Sequence, residues 1–113
     1  MSADQVLLVL SNAPDRIKAD HIARHLVEHR LAACVNVLAP CHSVYTWEGT
    51  IHEEQEIPLL IKTTAVCYPM LQEAMHELHP HAVPELLAFP ATGGLPQYLA
   101  WVLSNCGTPS HDV

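Results

Sequence analysis

Histidine is the residue type in this sequence that most directly suggests chemistry. The chain has nine histidines, against five lysines and arginines together. Imidazole is the commonest metal ligand in proteins, and its charge changes near neutral pH. His21, His25 and His29 are spaced four residues apart, so on a helix they share one stripe, where two rings can chelate Cu(II), Ni(II) or Zn(II). The stripe lies beside the apolar side of that helix, so a solvated helix face is the alternative interpretation.

Three further histidines surround the predicted end of a second helix. His79 lies at that end, where the helix dipole favours a cation and is expected to raise the pKa of the ring. A protonated ring cannot bind a metal, which favours a structural role for this histidine. His81 could supply a second nitrogen, whereas His76, one turn earlier on the helix, is expected to face solvent.

The charge and the remaining motifs argue against several classes of protein. The 113-residue chain carries a net charge of −7 with histidine neutral, which disfavours binding to nucleic acid. No C-x-x-C pair occurs, so neither a zinc ribbon nor a thioredoxin-like motif is expected. There is no glycine-rich phosphate loop, no G-x-S-x-G motif, and no nucleophile and base at a spacing that suggests a hydrolase. Reduced, mostly buried thiols are expected at Cys34, Cys41, Cys67 and Cys106.

Membrane insertion and export are not expected either. Unbroken apolar runs such as Val6–Leu10 are far shorter than a membrane span. Residues 1–4 contain no basic region ahead of an apolar segment, so they do not resemble a signal peptide. The expected compartment is the cytoplasm.

Apolar periodicity predicts an alternation of strands and helices. Strand patterns cover residues 5–10, 31–38, 44–48, 50–64 and 83–91, and helical patterns cover 16–29, the segment between Pro69 and Pro80, and 97–105. Asp15 is a plausible N-cap, Glu48-Gly49 a tight hairpin turn, and Pro58 indicates an edge position or a bulge in the long strand. The core face of the second helix is predicted to comprise Met70, Leu71, Ala74, Met75 and Leu78.

The order of elements, β-α-β-β-α-β followed by a short helix, is typical of an α+β, ferredoxin-like (split β-α-β) fold. Such a fold has an antiparallel sheet with both helices on one face. We predict one domain over residues 1–113. The long hairpin between residues 31 and 64 leaves apolar side chains and strand edges that a monomer of this size cannot cover, so a homo-oligomer is expected.

Six motifs, in order along the chain, resemble the divalent-cation tolerance protein CutA family. They are Ala13-Pro14-Asp15; residues 31–36; Ser43-x-Tyr45-x-Trp47-Glu48-Gly49; Glu56 followed by Ile61-Lys62-Thr63-Thr64; His79-Pro80 followed by Pro84-Glu85-Leu86; and Tyr98-Leu99-Ala100-Trp101. The resemblance implies a homotrimer similar in architecture to the PII signalling proteins, in the bacterial cytoplasm. It also implies a part in tolerance to copper and other divalent cations, with no enzymatic activity and no required cofactor.

The resemblance further implies a site at a cleft between subunits. Copper-binding relatives carry a cysteine at the end of the first strand and two adjacent histidines before a proline, and the corresponding residues here are Ser11, Leu78 and His79. His79 and Ser11 are therefore the candidate metal-site residues. Further cleft candidates are Tyr45, Trp47, Glu56, Lys62 and His81. The alternative function is a PII-like signalling or scaffold trimer that binds a small anion or a protein partner.

Overall fold

The computed structural model describes residues 5–108, and within that range the chain forms five strands and three helices. The strands are β1 (Val6–Ala13), β2 (Cys34–Val37), β3 (Cys41–Trp47), β4 (Thr50–Thr64) and β5 (Leu87–Pro90), and the helices are α1 (Arg16–Glu28), α2 (Tyr68–Leu78) and α3 (Pro96–Ser104). The predicted order of elements is confirmed. The signal-peptide prediction concerns residues 1–4 and lies outside the described residues.

All strand pairs are antiparallel, and β4 is the central strand. The order across the sheet is β2-β4-β1-β5, while β3 pairs with the first half of β4. β2 and β3 therefore flank β4 in succession, interrupted at residues 38–40, and act as one bent strand. This is the α+β ferredoxin-like arrangement that the sequence predicts.

Local sequence signals determine several of the element ends. The side chain of Asp15 caps α1 by accepting a hydrogen bond of 2.7 Å from the backbone N–H of Lys18. Glu48 and Gly49 both have positive φ angles, 51° and 80°, as a two-residue hairpin turn requires. Pro69 lies in the first turn of α2, where its missing N–H costs nothing.

Four of the five strands have boundaries that differ from the prediction. β2 is shorter than the predicted 31–38, and β3 begins three residues earlier than the predicted 44. β1 extends beyond its predicted end at residue 10 as far as Ala13, because Asn12 and Ala13 pair with Pro58 and Ile57 of β4. β5 begins at Leu87 rather than residue 83, so residues 83–86 form a loop. The end of β1 and this loop border the candidate site.

Pro58 lies inside the sheet, so its predicted edge position is wrong. The predicted bulge is present in the facing strand, where the three residues 38–40 lie opposite only Ile57 and Pro58. Pro58 pairs in register with Asn12, and its carbonyl accepts a hydrogen bond of 3.0 Å from the N–H of Leu38. The N and C=O groups of one strand residue point to the same side. The missing N–H of Pro58 therefore faces the interruption between β2 and β3, where no strand pairing is lost.

α1 and α2 cover one face of the sheet. The fully buried residues of this core include Leu7, Val9, Leu59 and Ile61 from the sheet, Ile22 and Leu26 from α1, and Leu71 and Met75 from α2. Burial alternates along β4 as predicted, with Ile57, Leu59 and Ile61 facing the helices. Met70, predicted to face the core, is 65% exposed instead.

The opposite side, here called the open sheet face, comprises Leu8, Leu10, Leu60, Leu87 and Phe89 by their register in the sheet. Leu87 and Phe89 are 53% and 48% exposed. α3 covers only one end of this face, where Val102 packs with Val6. The β3–β4 hairpin projects beyond the sheet body and gives the molecule its elongated dimensions of 53 × 26 × 23 Å.

No helix in residues 5–108 is long and apolar enough to cross a membrane.

Candidate functional site

His79 is held by hydrogen bonds to both nitrogens of its ring. The residue follows α2 directly and is 5% exposed. Its Nε2–H donates to the main-chain oxygen of Asn12 at 2.9 Å, and its Nδ1 accepts from the backbone N–H of His81 at 3.1 Å. The acceptor at one nitrogen and the donor at the other fix the neutral Nε2–H tautomer.

The charge state of His79 differs from the sequence prediction. The helix dipole is expected to raise the pKa of the ring, but burial lowers it below the ordinary value of 6.5. The hydrogen bond to Asn12 and the charge of Glu56 act in the opposite direction, while His81 and Lys18 lower it further. Desolvation is the largest of these effects, because the ring lies under the end of β1. The ring is therefore neutral at pH 7.

Ser11 has a structural contact rather than a free hydroxyl. It is fully buried, and its Oγ donates a hydrogen bond of 2.7 Å to the main-chain oxygen of Glu85. This hydrogen bond links the loop before β5 to the C-terminal end of β1. Ser11 does not line the cavity described next.

A cavity of about 600 Å³, here called the acidic cleft, lies between the end of β1, the β3–β4 hairpin and the loop before β5. Four of the predicted cleft residues meet there: Tyr45, Trp47, Glu56 and His81. Lys62 does not join them, because its Nζ donates to Oδ1 of Asn36 farther along the sheet. Two polar residues that sequence reasoning did not select, Asn12 and Glu85, also line the cleft.

Carboxylates dominate the charge of the acidic cleft. Burial and then the nearby charge of Glu56 raise the pKa of Glu85, and a hydrogen bond of 3.1 Å from Asn12 Nδ2 to its carboxylate partly offsets this. The pKa of Tyr45 is raised by desolvation, by its hydrogen bond with Glu54 and by the charges of Glu54 and Glu56. No lysine or arginine among residues 5–108 lines the cleft. The cleft therefore attracts cations and repels anions.

Glu56 is the residue of the acidic cleft with the greatest burial. It is 8% exposed, and no hydrogen bond within residues 5–108 holds its carboxylate. Every buried side-chain nitrogen or oxygen atom among residues 5–108 has a hydrogen-bond partner, so the carboxylate of Glu56, which has no such partner, is still reached by solvent through the cleft. The strand of Glu56 supplies no partner for it, since Lys62 stands six residues away along β4, about 20 Å at ~3.3 Å per residue.

No preformed metal cage exists in the described part of the chain. Among residues 5–108, no three His, Cys, Asp or Glu side chains lie close enough together to hold an ion. The four cysteines form no disulfide among residues 5–108. Cys67 and Cys106 are buried as predicted, whereas Cys34 and Cys41 are only half-buried. Burial raises the pKa of Cys106 to about 11, so this thiol is not a ready metal ligand or nucleophile.

Sequence signals for the two missed residues are weak or absent. Glu85 belongs to the Pro84-Glu85-Leu86 motif, which indicates resemblance but not role. No sequence signal identifies Asn12, because it reaches the site only if β1 continues past Leu10. That continuation results from the pairing of β1 with β4. Only the tertiary structure brings the two side chains to hydrogen-bond distance.

Comparisons with known proteins agree with this fold along most of the chain. The family model described as CutA1 divalent ion tolerance protein matches residues 7–105. The divalent-cation tolerance protein CutA of Thermus thermophilus is 45% identical over 100 residues, covering 88% of this chain and 97% of the relative.

Solved structures give the same result. The divalent cation tolerance protein Cut A1 from Thermus thermophilus superimposes with a TM-score of 0.88 at 44% identity, covering 90% of this chain and 99% of that one. A structure from Archaeoglobus fulgidus, described as a periplasmic divalent cation tolerance protein CutA, has a TM-score of 0.85 at 30% identity and covers 88% of this chain and 97% of its own.

Proposed function

Because the chain belongs to the CutA1 divalent ion tolerance protein family, we propose that it is a homotrimeric, non-enzymatic protein that acts in tolerance of divalent metal ions and takes Cu(II) at a cleft between subunits. No cofactor is required for this role. The observation that carries the proposal is the acidic cleft beside His79, where two carboxylates face a cavity without lysine or arginine.

The contacts of His79 define what metal binding at this cleft must do. Both ring nitrogens are engaged, so a metal can reach Nδ1 only if the N–H of His81 moves away. That movement would carry the loop of residues 80–86, which borders the acidic cleft. His79 then acts as the nitrogen ligand. Ser11 is left out of the proposed ligand set, because its hydroxyl is fully buried and donates to the main-chain oxygen of Glu85.

The homotrimer is supported by the open sheet face. Five apolar side chains lie there without a covering layer from residues 5–108, and the hairpin projects past the body of the molecule. Contiguous exposed apolar surface of this kind marks an association face. A closed ring of three copies would bury all three faces and place each hairpin against a neighbour.

The alternative is a PII-like signalling or scaffold trimer that binds either a small anion or a protein partner, and the structure favours the protein partner over the anion. The carboxylates of the acidic cleft oppose a small anion, but Val44, Trp47 and Ile51 on the projecting hairpin are 60%, 47% and 70% exposed. Such side chains suit a contact with a protein partner. Loss of partner capture with retained copper binding in Trp47→Ser would favour this alternative.

Copper calorimetry on tag-free protein tests the proposal. We expect His79→Ala and the pair Glu56→Gln/Glu85→Gln each to weaken Cu(II) binding at the cleft by at least tenfold, while His76→Ala does not. Unchanged affinity in both cleft variants would refute copper binding at this cleft, and light scattering that shows a monomer at micromolar concentration would refute the trimer.

The cytoplasm is the compartment we propose, because thiols persist in reducing compartments. Fractionation of cells with an antibody against the protein tests this directly. Recovery with periplasmic markers would instead match the description of the Archaeoglobus fulgidus relative.

A further inference from the structure

A pair of histidines on α1, away from the acidic cleft, has rings arranged within reach of one ion. The rings of His25 and His29 are stacked, with centroids 4.0 Å apart and planes inclined by 21°. Two nitrogens bound to one tetrahedral or square-planar ion at about 2.0 Å lie about 3 Å apart. Because the two rings are already in contact, side-chain rotation out of the stack is enough to bring one nitrogen of each ring onto a shared metal.

The tautomer of His29 is already the one that a metal ligand needs. Its Nδ1 lies 2.9 Å from the main-chain oxygen of His25, and a carbonyl oxygen only accepts, so Nδ1 carries the proton. The lone pair of Nε2 is left free. A hydrogen bond from the second ring nitrogen to a backbone carbonyl is the usual support of a metal-bound histidine.

His25 is also available, in contrast to His79. No hydrogen bond within residues 5–108 holds either nitrogen of the His25 ring, whereas both nitrogens of His79 are engaged. Partial burial and the neighbouring His29 and His21 lower the pKa of His25, so the ring is neutral and able to donate a lone pair. A bound cation would meet favourable charge from Glu28 on the same helix and Glu77 on α2.

We propose that His25 and His29 form a binding site for a divalent transition-metal ion, with Cu(II) bound most tightly. The preference follows from imidazole ligands and the ordinary order of stability among divalent ions. Two protein ligands leave the remaining positions to water, in keeping with the lack of a three-residue metal group in residues 5–108. The site lies in the helix layer, so it stays accessible when the open sheet face is covered, and it is independent of copper at the acidic cleft.

The test uses full-length, tag-free protein, Cu(II) as the probe and a buffer without amine ligands. We expect His29→Phe, which keeps an aromatic ring but removes the nitrogens, and His25→Ala each to lower the affinity of this site by at least tenfold. The double variant is expected to lose no more than either single variant, since a chelate fails when one ligand is removed. His76→Ala, an exposed histidine on α2, is the matched control and leaves the affinity unchanged.

Two further readouts separate this site from the cleft and from misfolding. Paramagnetic broadening of backbone amide signals by substoichiometric Cu(II) is expected to centre on α1, and His79→Ala is expected to leave that broadening intact. Circular dichroism checks that each variant is folded. Wild-type affinity in folded His29→Phe, or loss of broadening on α1 only when His79 is replaced, would overturn the proposal without bearing on copper binding at the cleft.

Discussion

The ring of His79 and the main chain of Asn12 are joined by a hydrogen bond of 2.9 Å that links the end of α2 to the end of β1. The two residues are 67 positions apart in the sequence. The same ring accepts a hydrogen bond from the next loop through the N–H of His81. His79 thus ties a helix, a strand and the border of the acidic cleft together, so its structural and functional roles are connected.

Removing the nitrogens of His79 should destabilise the fold. His79→Phe keeps a buried ring but leaves the Asn12 oxygen and the His81 N–H without partners. Leaving buried polar groups unsatisfied costs about 1–3 kcal/mol. Urea unfolding monitored by circular dichroism measures this, with His76→Phe on the exposed side of α2 as the control. Equal stability of the two variants would show that these hydrogen bonds contribute nothing net.

The lowered pKa of His79 predicts a specific dependence of stability on pH. Because the folded-state pKa lies below the unfolded value of 6.5, the unfolded chain binds the proton first as the pH falls. The contribution of the neutral ring is therefore complete above pH 6.5 and is lost as the pH falls through the folded-state pKa.

We expect the free energy of unfolding to fall between pH 7.5 and 5.5, and to fall less in His79→Phe. His25, whose pKa is also lowered, acts in the same direction but is present in both proteins, so the difference isolates His79. Urea unfolding at the two pH values provides the measurement. Parallel losses in wild type and variant would show that His79 is not the titrating group.

The sequence predicts the parts of this structure that depend on neighbours along the chain. The bounds of β4, its alternating burial, the Asp15 cap and the Glu48-Gly49 turn all follow from local residue types. Pro58 shows the limit of such reasoning, because its tolerance in the sheet depends on an interruption in another strand.

The site was predicted less completely than the fold, for a physical reason. Aromatic and charged residues of the hairpin could be selected from the sequence, and three of them, Tyr45, Trp47 and Glu56, line the acidic cleft together with His81. The pKa of His79, however, is lowered where the sequence predicts that it is raised. The helix dipole can be inferred from neighbours along the chain, whereas burial of the ring under β1 depends on the tertiary structure. Asn12 and Glu85 were missed for the same reason, since their contact crosses 73 positions.

Glu56 should control the proton affinity of Glu85. Burial is the first cause of the raised pKa of Glu85, and the charge of Glu56 is the second. Glu56→Gln removes that charge at nearly constant volume, so the pKa of Glu85 is expected to move down toward, but not reach, 4.5. Carbon-13 NMR titration of side-chain carboxyls measures it, with Glu73→Gln on α2 as the control. An unmoved Glu85 would mean that the two carboxylates do not interact.

The open sheet face should govern assembly, and Phe89 tests this most directly. Phe89 is 48% exposed on that face beside Leu8, and Phe89→Asp would place a charge among apolar side chains that an interface must desolvate. We expect this variant to sediment as a folded monomer. Ile17→Asp is the matched control, since Ile17 is 84% exposed on α1 and the same change there should leave the assembly intact. A trimer in Phe89→Asp, or a monomer in both variants, would contradict assembly through the open sheet face. The two substitutions are expected to differ only if Phe89 is buried against another copy of the chain.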